Sequence, residues 1–242
     1  LETAALRIAH GKLLNAGQTC IAPDYVLLPR GREDAFAAAW QRAVTRLFPH
    51  LADGNADYAA IVTASHFARL QALLAEAREQ GARVEQAPST PANDAARQMA
   101  PALVFGAQAG QRLLQEEIFG PVLPVVPCDS AEEAVRFINA RPRPLALYWF
   151  GTDTAARDRV LAETVSGGVT LNDTLLHIAH DNLPFGGVGE SGMGSYHGEG
   201  GFLRFTQQKA VLVQSRWSGG AMLYPPYGAR FVRMMGLLRR LG

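Results

Sequence analysis

Two cysteines, Cys20 and Cys128, are all that this 242-residue chain contains. That scarcity excludes a disulfide scaffold and a structural zinc site built from four cysteines. An excess of one charge is missing too. Lys plus Arg number 23 and Asp plus Glu 22, for a formal net charge of +1. Such a balance leaves no electrostatic footprint for nucleic acid, and no nucleic-acid partner is expected. No apolar run approaches the roughly 18 residues that a membrane-spanning helix needs. No secretory signal opens the chain, which begins at Leu1. What is present is apolar mass: 48% hydrophobic against 19% charged residues. That suffices for a sizeable core in one large domain, or one and a half ordinary ones.

The apolar pattern switches repeatedly between a helical period and short extended runs. Ala5, Ile8, Ala9 and Leu13 share a helical face, and Tyr25–Leu28 reads as a buried strand stopped by Pro29. Phe36, Trp40, Val44, Leu47 and Phe48 recur at helical spacing. Ser65 is placed to cap a helix carrying Phe67, Leu70, Leu73, Leu74 and Ala77, with Gly81 at its end. Further strands are predicted at 102–105, 122–126, 145–150 and 167–171. Helices are predicted from the Ser130–Glu133 capping box to Asn139 and from Thr154 to Val165. This alternation argues for an α/β fold of three layers, a mostly parallel sheet with helices on both faces. Eight glycines between Gly186 and Gly201 predict a long surface loop, too glycine-rich for a helix or strand interior. Lys209–Gln214 reads as a last strand. Flanked by Lys209 and Arg216, its Val211–Gln214 part suits an edge that pairs outside this chain's own core.

Asn15-Ala16-Gly17-Gln18-Thr19-Cys20 places a cysteine in a Gly-containing turn between a helix and a buried strand. Backbone amides in such a turn can stabilise a thiolate below the free-cysteine pKa of about 8.5. The same amides can hold the oxyanion formed when a thiolate attacks a carbonyl. Cys128, between a strand and a helix cap, fits a small hydrophobic role.

The stretch Gly11-Lys12-Leu13-Leu14-Asn15-Ala16-Gly17-Gln18-Thr19-Cys20 resembles the catalytic-cysteine signature of the NAD(P)-dependent aldehyde dehydrogenases. Three further stretches agree in order. Gln115–Val122 resembles the family's Glu-Ile-Phe-Gly-Pro cofactor motif, and Ser166–Val169 with Asn172-Asp173 its pocket-lining strand end. Leu183–Gly194 resembles its substrate-side loop. That loop, with Ser195-Tyr196-His197-Gly198 after it, is most similar to the class 3 and coniferyl-aldehyde-dehydrogenase branch. The resemblance spans at least residues 1–215.

The resemblance implies a reaction and a set of roles. Cys20 would attack the aldehyde, giving a thiohemiacetal and then a thioester that water hydrolyses to the acid. Glu117 would accept hydrogen bonds from the nicotinamide-side ribose of NAD or NADP, and Phe119 would pack beside it. Asn172 would support the cysteine loop, and Phe185 would line an aromatic substrate pocket. The resemblance also implies a catalytic domain over 1–198, a return and oligomerisation strand over 199–216, and a tail over 217–242. A homodimer, a cytoplasmic location and an aromatic or medium-chain aldehyde are expected. Only nineteen residues precede Cys20. The family's general-base glutamate, its second oxyanion donor and its cofactor-binding domain are therefore expected outside this chain, leaving residues 1–242 inactive alone. A cofactor-free cysteine esterase and a non-catalytic oligomerisation module remain as alternatives.

Other signals point elsewhere or nowhere. Gly187-x-Gly189-x-x-Gly192 matches a dinucleotide fingerprint as a string, but no convincing strand precedes it. Ser191 and Ser195 lack a nucleophile elbow. His177 and His180 lack a third partner at useful spacing, so no metal site is expected. In the tail, Phe231, Met234, Met235, Leu238 and Leu241 share one helical face, with Arg230, Arg233 and Arg240 on another. A basic amphipathic helix of this kind suits packing on the protein or its dimer mate, or weak contact with an anionic membrane surface.

Overall fold

The computed structural model describes residues 1–49, 51, 55–87 and 94–241. The chain divides into two compact units, Leu1–Phe205 and Thr206–Gly242.

The first unit holds two sheets. In the larger, β1 (Val26–Pro29), β4 (Val122–Cys128), β3 (Ala102–Phe105) and β2 (Arg83–Gln86) lie in the order β1-β4-β3-β2. The first three are parallel, with Val26 opposite Val125 and Ala102 opposite Val122; β2 runs antiparallel to β3. The smaller sheet pairs β5 (Ala146–Trp149) with β6 (Gly168–Leu171) in parallel. Inner β3 is buried at all four positions, as expected of a strand covered on both faces. Edge strand β2 escaped the sequence reading because Arg-Val-Glu-Gln has one apolar residue and is half solvated.

Helices α1 (Glu2–Leu13), α2 (Glu33–Leu47) and α3 (Ala64–Glu79) contribute Leu13, Phe36, Trp40, Val44, Leu70 and Leu73 to the main core. Helices α4 (Ala131–Asn139) and α5 (Thr154–Glu163) build a second cluster, in which Val135, Ile138 and Val160 meet Leu147 of β5. The cap of α3 is Thr63 and not Ser65. Thr63 Oγ1 accepts the His66 amide at 3.2 Å, while Ser65 already lies inside the first turn. Ser130 caps α4 as expected, accepting the Glu133 amide at 3.2 Å. The Glu133 carboxylate reaches one residue further back, to the Asp129 amide at 2.7 Å.

The glycine-rich segment is not loop throughout. Phe185 and Tyr196 close it with an antiparallel bridge, and Gly198–Arg204 forms a short helix, α6. Space does not demand glycine within that helix. A Cβ on Gly200 or Gly201 would stand 3.6 Å from Pro184 and 3.5 Å from Tyr196.

In the second unit the expected strand at 209–214 forms no ladder with any described residue. Val211, Leu212 and Val213 are 73%, 89% and 86% exposed. A lone segment has no partner for its backbone donors and acceptors, so strand propensity alone does not make a strand. Helix α7 (Ala229–Leu241) forms as expected. Phe231, Met234 and Met235 are half-buried on it, and Arg230, Arg233, Arg239 and Arg240 are exposed.

Candidate active site

Helix α1 ends in a turn whose backbone is unusual for three residues running: Asn15, Ala16 and Gly17 have φ of 52°, 52° and 76°. Left-handed backbone at a non-glycine residue is strained and persists only where neighbours over-determine it. Several neighbours do. Asn15 Nδ2 donates to the Gln18 carbonyl at 3.1 Å, and the Gln18 amide donates to the Asn15 carbonyl at 3.1 Å. The Gln18 side chain donates to the Asn15 and Ala60 carbonyls at 3.0 Å each and accepts the Val62 amide at 2.9 Å. Gly17 is also a contact. A Cβ there would stand 2.3 Å from the Gly120 carbonyl oxygen and 3.0 Å from that of Lys12.

The next turn, closed by the Ala22 amide on the Thr19 carbonyl at 2.9 Å, holds Cys20 at the surface. Ile21 turns inward, and its carbonyl accepts the Tyr148 hydroxyl at 2.7 Å. The Tyr148 phenol is pushed well above its ordinary value by burial. Cys128 differs from Cys20. It is half-buried, and desolvation with Glu133 and Asp129 pushes its thiol up.

Helix α3 holds the Glu116–Gly120 segment by its carbonyls. Arg69 donates to Ile118 at 3.0 Å, to Glu117 at 2.6 Å and to the Glu116 carboxylate at 3.2 Å. The His66 ring shares a 2.7 Å hydrogen bond with the Phe119 carbonyl. Ile118 is fully buried, while Phe119 sits at φ 52° and half-exposes its ring. The Glu117 carboxylate takes no hydrogen bond or ion pair from the described residues. Partial desolvation and Asp24 raise its pKa, against Arg69 and Lys12, which pull it down. A fixed backbone carrying an open carboxylate beside a half-exposed ring fits the ribose-nicotinamide end of a dinucleotide.

Asn172, at φ 56°, lies at the end of β6. Its Oδ1 accepts the Gly151 amide at 2.8 Å and its amide donates to the Trp149 carbonyl at 2.6 Å. Its carbonyl accepts from Arg7 of α1, and Thr174 Oγ1 donates to the Arg7 carbonyl at 3.1 Å. These bonds go to β5 and to α1, not to the cysteine turn. Asn172 reaches that turn only through the helix leading into it.

Phe185 is buried and shares a cluster with Ile21 and Leu175. It stacks on His177 at 5.7 Å and meets Tyr196 edge-on at 5.6 Å. Sequence reasoning gave no role to Tyr148, inside the strand expected at 145–150, and weighed His177 only as a metal ligand. The His177 ring pairs with Thr170 Oγ1 at 2.9 Å, and its other nitrogen is buried without a partner among the described residues. Burial pulls its pKa down. The structure thus joins the cysteine turn to the Glu117 motif and to Phe185, and leaves Asn172 at one remove.

A model of the aldehyde dehydrogenase family matches residues 1–211. A probable coniferyl aldehyde dehydrogenase of Pseudomonas aeruginosa is 49% identical over 235 residues, covering 97% of this chain and 48% of that protein. A dimeric NADP-preferring aldehyde dehydrogenase of Canis lupus familiaris is 39% identical, covering 96% of this chain and 50% of its own length. Among solved structures, a substrate-bound Staphylococcus aureus AldH superposes with a TM-score of 0.83 at 37% identity. The match covers 98% of this chain and 51% of that one. The chain spans about half the length of the curated relatives it matches.

Proposed function

The chain belongs to the aldehyde dehydrogenase family, and from that premise we propose that it is the catalytic part of an enzyme oxidising an aldehyde to its carboxylic acid with NAD or NADP. One observation carries the reading. The backbone contact of Gly17 with Gly120 fixes the exposed Cys20 turn against the segment that presents Glu117.

In this reading Cys20, as thiolate, forms a bond to the aldehyde carbon and the carbonyl oxygen becomes an oxyanion, held by the Cys20 backbone amide. When bound, NAD(P) supplies the hydride acceptor that turns this thiohemiacetal into a thioester, which water hydrolyses to the acid. Glu117 would hold the nicotinamide-side ribose by accepting from its hydroxyls, and the Phe119 ring would pack beside it. The half-buried Tyr148, through its hydroxyl on the Ile21 carbonyl, and the Phe185 cluster hold the cysteine turn from behind. Because the chain spans about half of its relatives, residues outside it are assigned the second oxyanion donor, the general base and most of the dinucleotide grip.

The substrate is assigned as an aromatic aldehyde of the coniferyl type, on the name of the Pseudomonas relative and on the aromatic cluster around Phe185. A medium-chain aldehyde is the second choice. The exposed apolar run Val211–Val213 supports a homodimer, as does the canine relative's description as dimeric. The test is NAD(P)H production by the complete gene product with coniferyl aldehyde and each dinucleotide. Ester hydrolysis without dinucleotide, and no NAD(P)H, would favour the esterase reading of Cys20.

A further inference from the structure

Tyr148 of β5 donates its hydroxyl to the Ile21 carbonyl at 2.7 Å. The sheet fixes its place. Tyr148 lies opposite Thr170 of β6, and the His177 ring, held on Thr170 Oγ1 at 2.9 Å, stands 6.1 Å from its own. Burial raises the phenol's pKa, so it stays a donor while a cysteine ionises. The Ile21 carbonyl shares one planar peptide unit with the Ala22 amide, and that amide donates to the Thr19 carbonyl at 2.9 Å. The Thr19 carbonyl shares the next unit with the Cys20 amide. Both units are trans, since the cis bond among the described residues joins Pro225 and Pro226. In a trans unit the carbonyl and the N–H point opposite ways. The bonds therefore run in one direction, from the Tyr148 hydroxyl through two peptide units to the Cys20 N–H. That N–H donates to no carbonyl of the described residues and is aimed away from the Ala22 amide that closes the turn.

We propose that Tyr148 is a positioning residue for the oxyanion site, its hydroxyl aiming and strengthening the Cys20 amide through the Ile21–Ala22 and Thr19–Cys20 peptide units. The proposal rests on the reading of Cys20 as the nucleophile given above. Two effects act together. Hydrogen bonds in series polarise one another, so an amide whose carbonyl already accepts a bond donates more strongly. The Ile21–Ala22 unit is also held at its carbonyl and at its amide, and so cannot swing. It holds the Thr19 carbonyl in turn, which sets the Cys20 N–H in place before charge develops on the substrate oxygen. A phenylalanine at position 148 would pack as the tyrosine does and start no such chain.

Two reactions of the same thiolate, on the complete gene product without dinucleotide, separate aiming from packing. With p-nitrophenyl acetate the thiolate adds to the ester carbonyl, whose oxygen becomes an oxyanion, and collapse expels p-nitrophenolate to leave a thioester. With iodoacetamide it displaces iodide at a saturated carbon and forms no oxyanion. The first is read as the burst of p-nitrophenolate, the second by peptide mapping of Cys20. Tyr148→Phe should slow acylation about tenfold, less than the roughly 10²–10³ of losing an oxyanion donor outright, and leave alkylation within about twofold. Equal slowing of both reactions would show a merely structural bond and overturn the proposal. If Cys20→Ala abolishes the burst and Tyr148→Phe acylates within about twofold of the parent, only the Tyr148 proposal fails. If Cys20→Ala keeps the burst, the nucleophile reading fails and the proposal with it. Should Tyr148→Phe not fold, 3-fluorotyrosine placed at position 148 carries the test. Its more acidic phenol is a stronger donor and should speed acylation up to about twofold with alkylation unchanged; unchanged or slower acylation overturns the proposal.

Discussion

Gly17 and Gly120 touch backbone to backbone, with no room for a Cβ between the cysteine turn and the segment carrying Glu117 and Phe119. Two stretches about a hundred positions apart are thereby locked into one site. Gly17 owes its identity to that contact and to its left-handed φ of 76°, whereas a Cβ on Gly120 would meet the Leu70 side chain.

Gly17→Ala should therefore be the more damaging of the two substitutions. The left-handed backbone alone costs about 1–2 kcal/mol for a residue with a Cβ, and the Gly120 carbonyl clash adds to it. A Cβ on Gly120 would meet the Leu70 side chain at 2.5 Å, a group that can shift at lower cost. Thermal melting of the two variants should rank them in that order; equal midpoints would remove the contact from the account.

Cys20 should be the reactive thiol. It is exposed, whereas the half-buried Cys128 has its pKa raised by desolvation and two nearby carboxylates. A raised pKa leaves less thiolate near neutral pH, so Cys128 should be labelled only slowly and should catch up as the pH rises. Mild alkylation with peptide mapping reads the order directly, and faster labelling of Cys128 near neutrality would count against it.

Asn172 should behave as a strand-end clamp. Asn172→Asp keeps an acceptor for the Gly151 amide and should melt near the parent temperature. Asn172→Gly loses the hydrogen bond, about 1 kcal/mol. Asn172→Ala loses the bond and adds the strain of φ 56°, about 1–2 kcal/mol more. A melting series in any other order would show that the clamp is not what holds this turn.

The tail offers a choice of partners. Residues 206–242 carry Lys209, Arg216, Arg230, Arg233, Arg239 and Arg240 and no acidic residue. We expect α7 to pack on protein and expect weak, salt-sensitive binding to anionic vesicles as the alternative. Pelleting with such vesicles, with and without residues 229–242, separates them. Equal pelleting removes the membrane contact.

Residues 1–242 alone should not sustain aldehyde oxidation. Loss of one oxyanion donor costs about 10²–10³ in rate and loss of a general base roughly 10²–10⁴. A stalled acyl group on Cys20 from an activated ester is the most this chain should give. Steady NAD(P)H production by it would show that base and cofactor grip lie within these residues.

Much of this was legible in the residues. The helices over Phe36–Leu47 and Phe67–Ala77, and the all-apolar β3, follow from period and composition because burial imposes both. Edge strand β2 did not show, since a half-solvated strand needs no apolar run. The segment expected as a strand at 209–214 has the composition but no ladder among the described residues, and its expected pairing lies outside this chain's own core. Cys20, Glu117 and Phe119 are proposed as site residues through motif resemblance. Gln18, Arg69 and Tyr148 were not assigned roles, because a lone polar residue gains its meaning from neighbours distant in sequence.

The proposed aldehyde oxidation rests on Cys20. Its most direct test follows NAD(P)H absorbance for the complete gene product and for its Cys20→Ser variant, with coniferyl aldehyde and saturating dinucleotide. Steady production by the parent and a loss of at least about 10³-fold in the variant are expected. A variant retaining rates within about tenfold of the parent would contradict it.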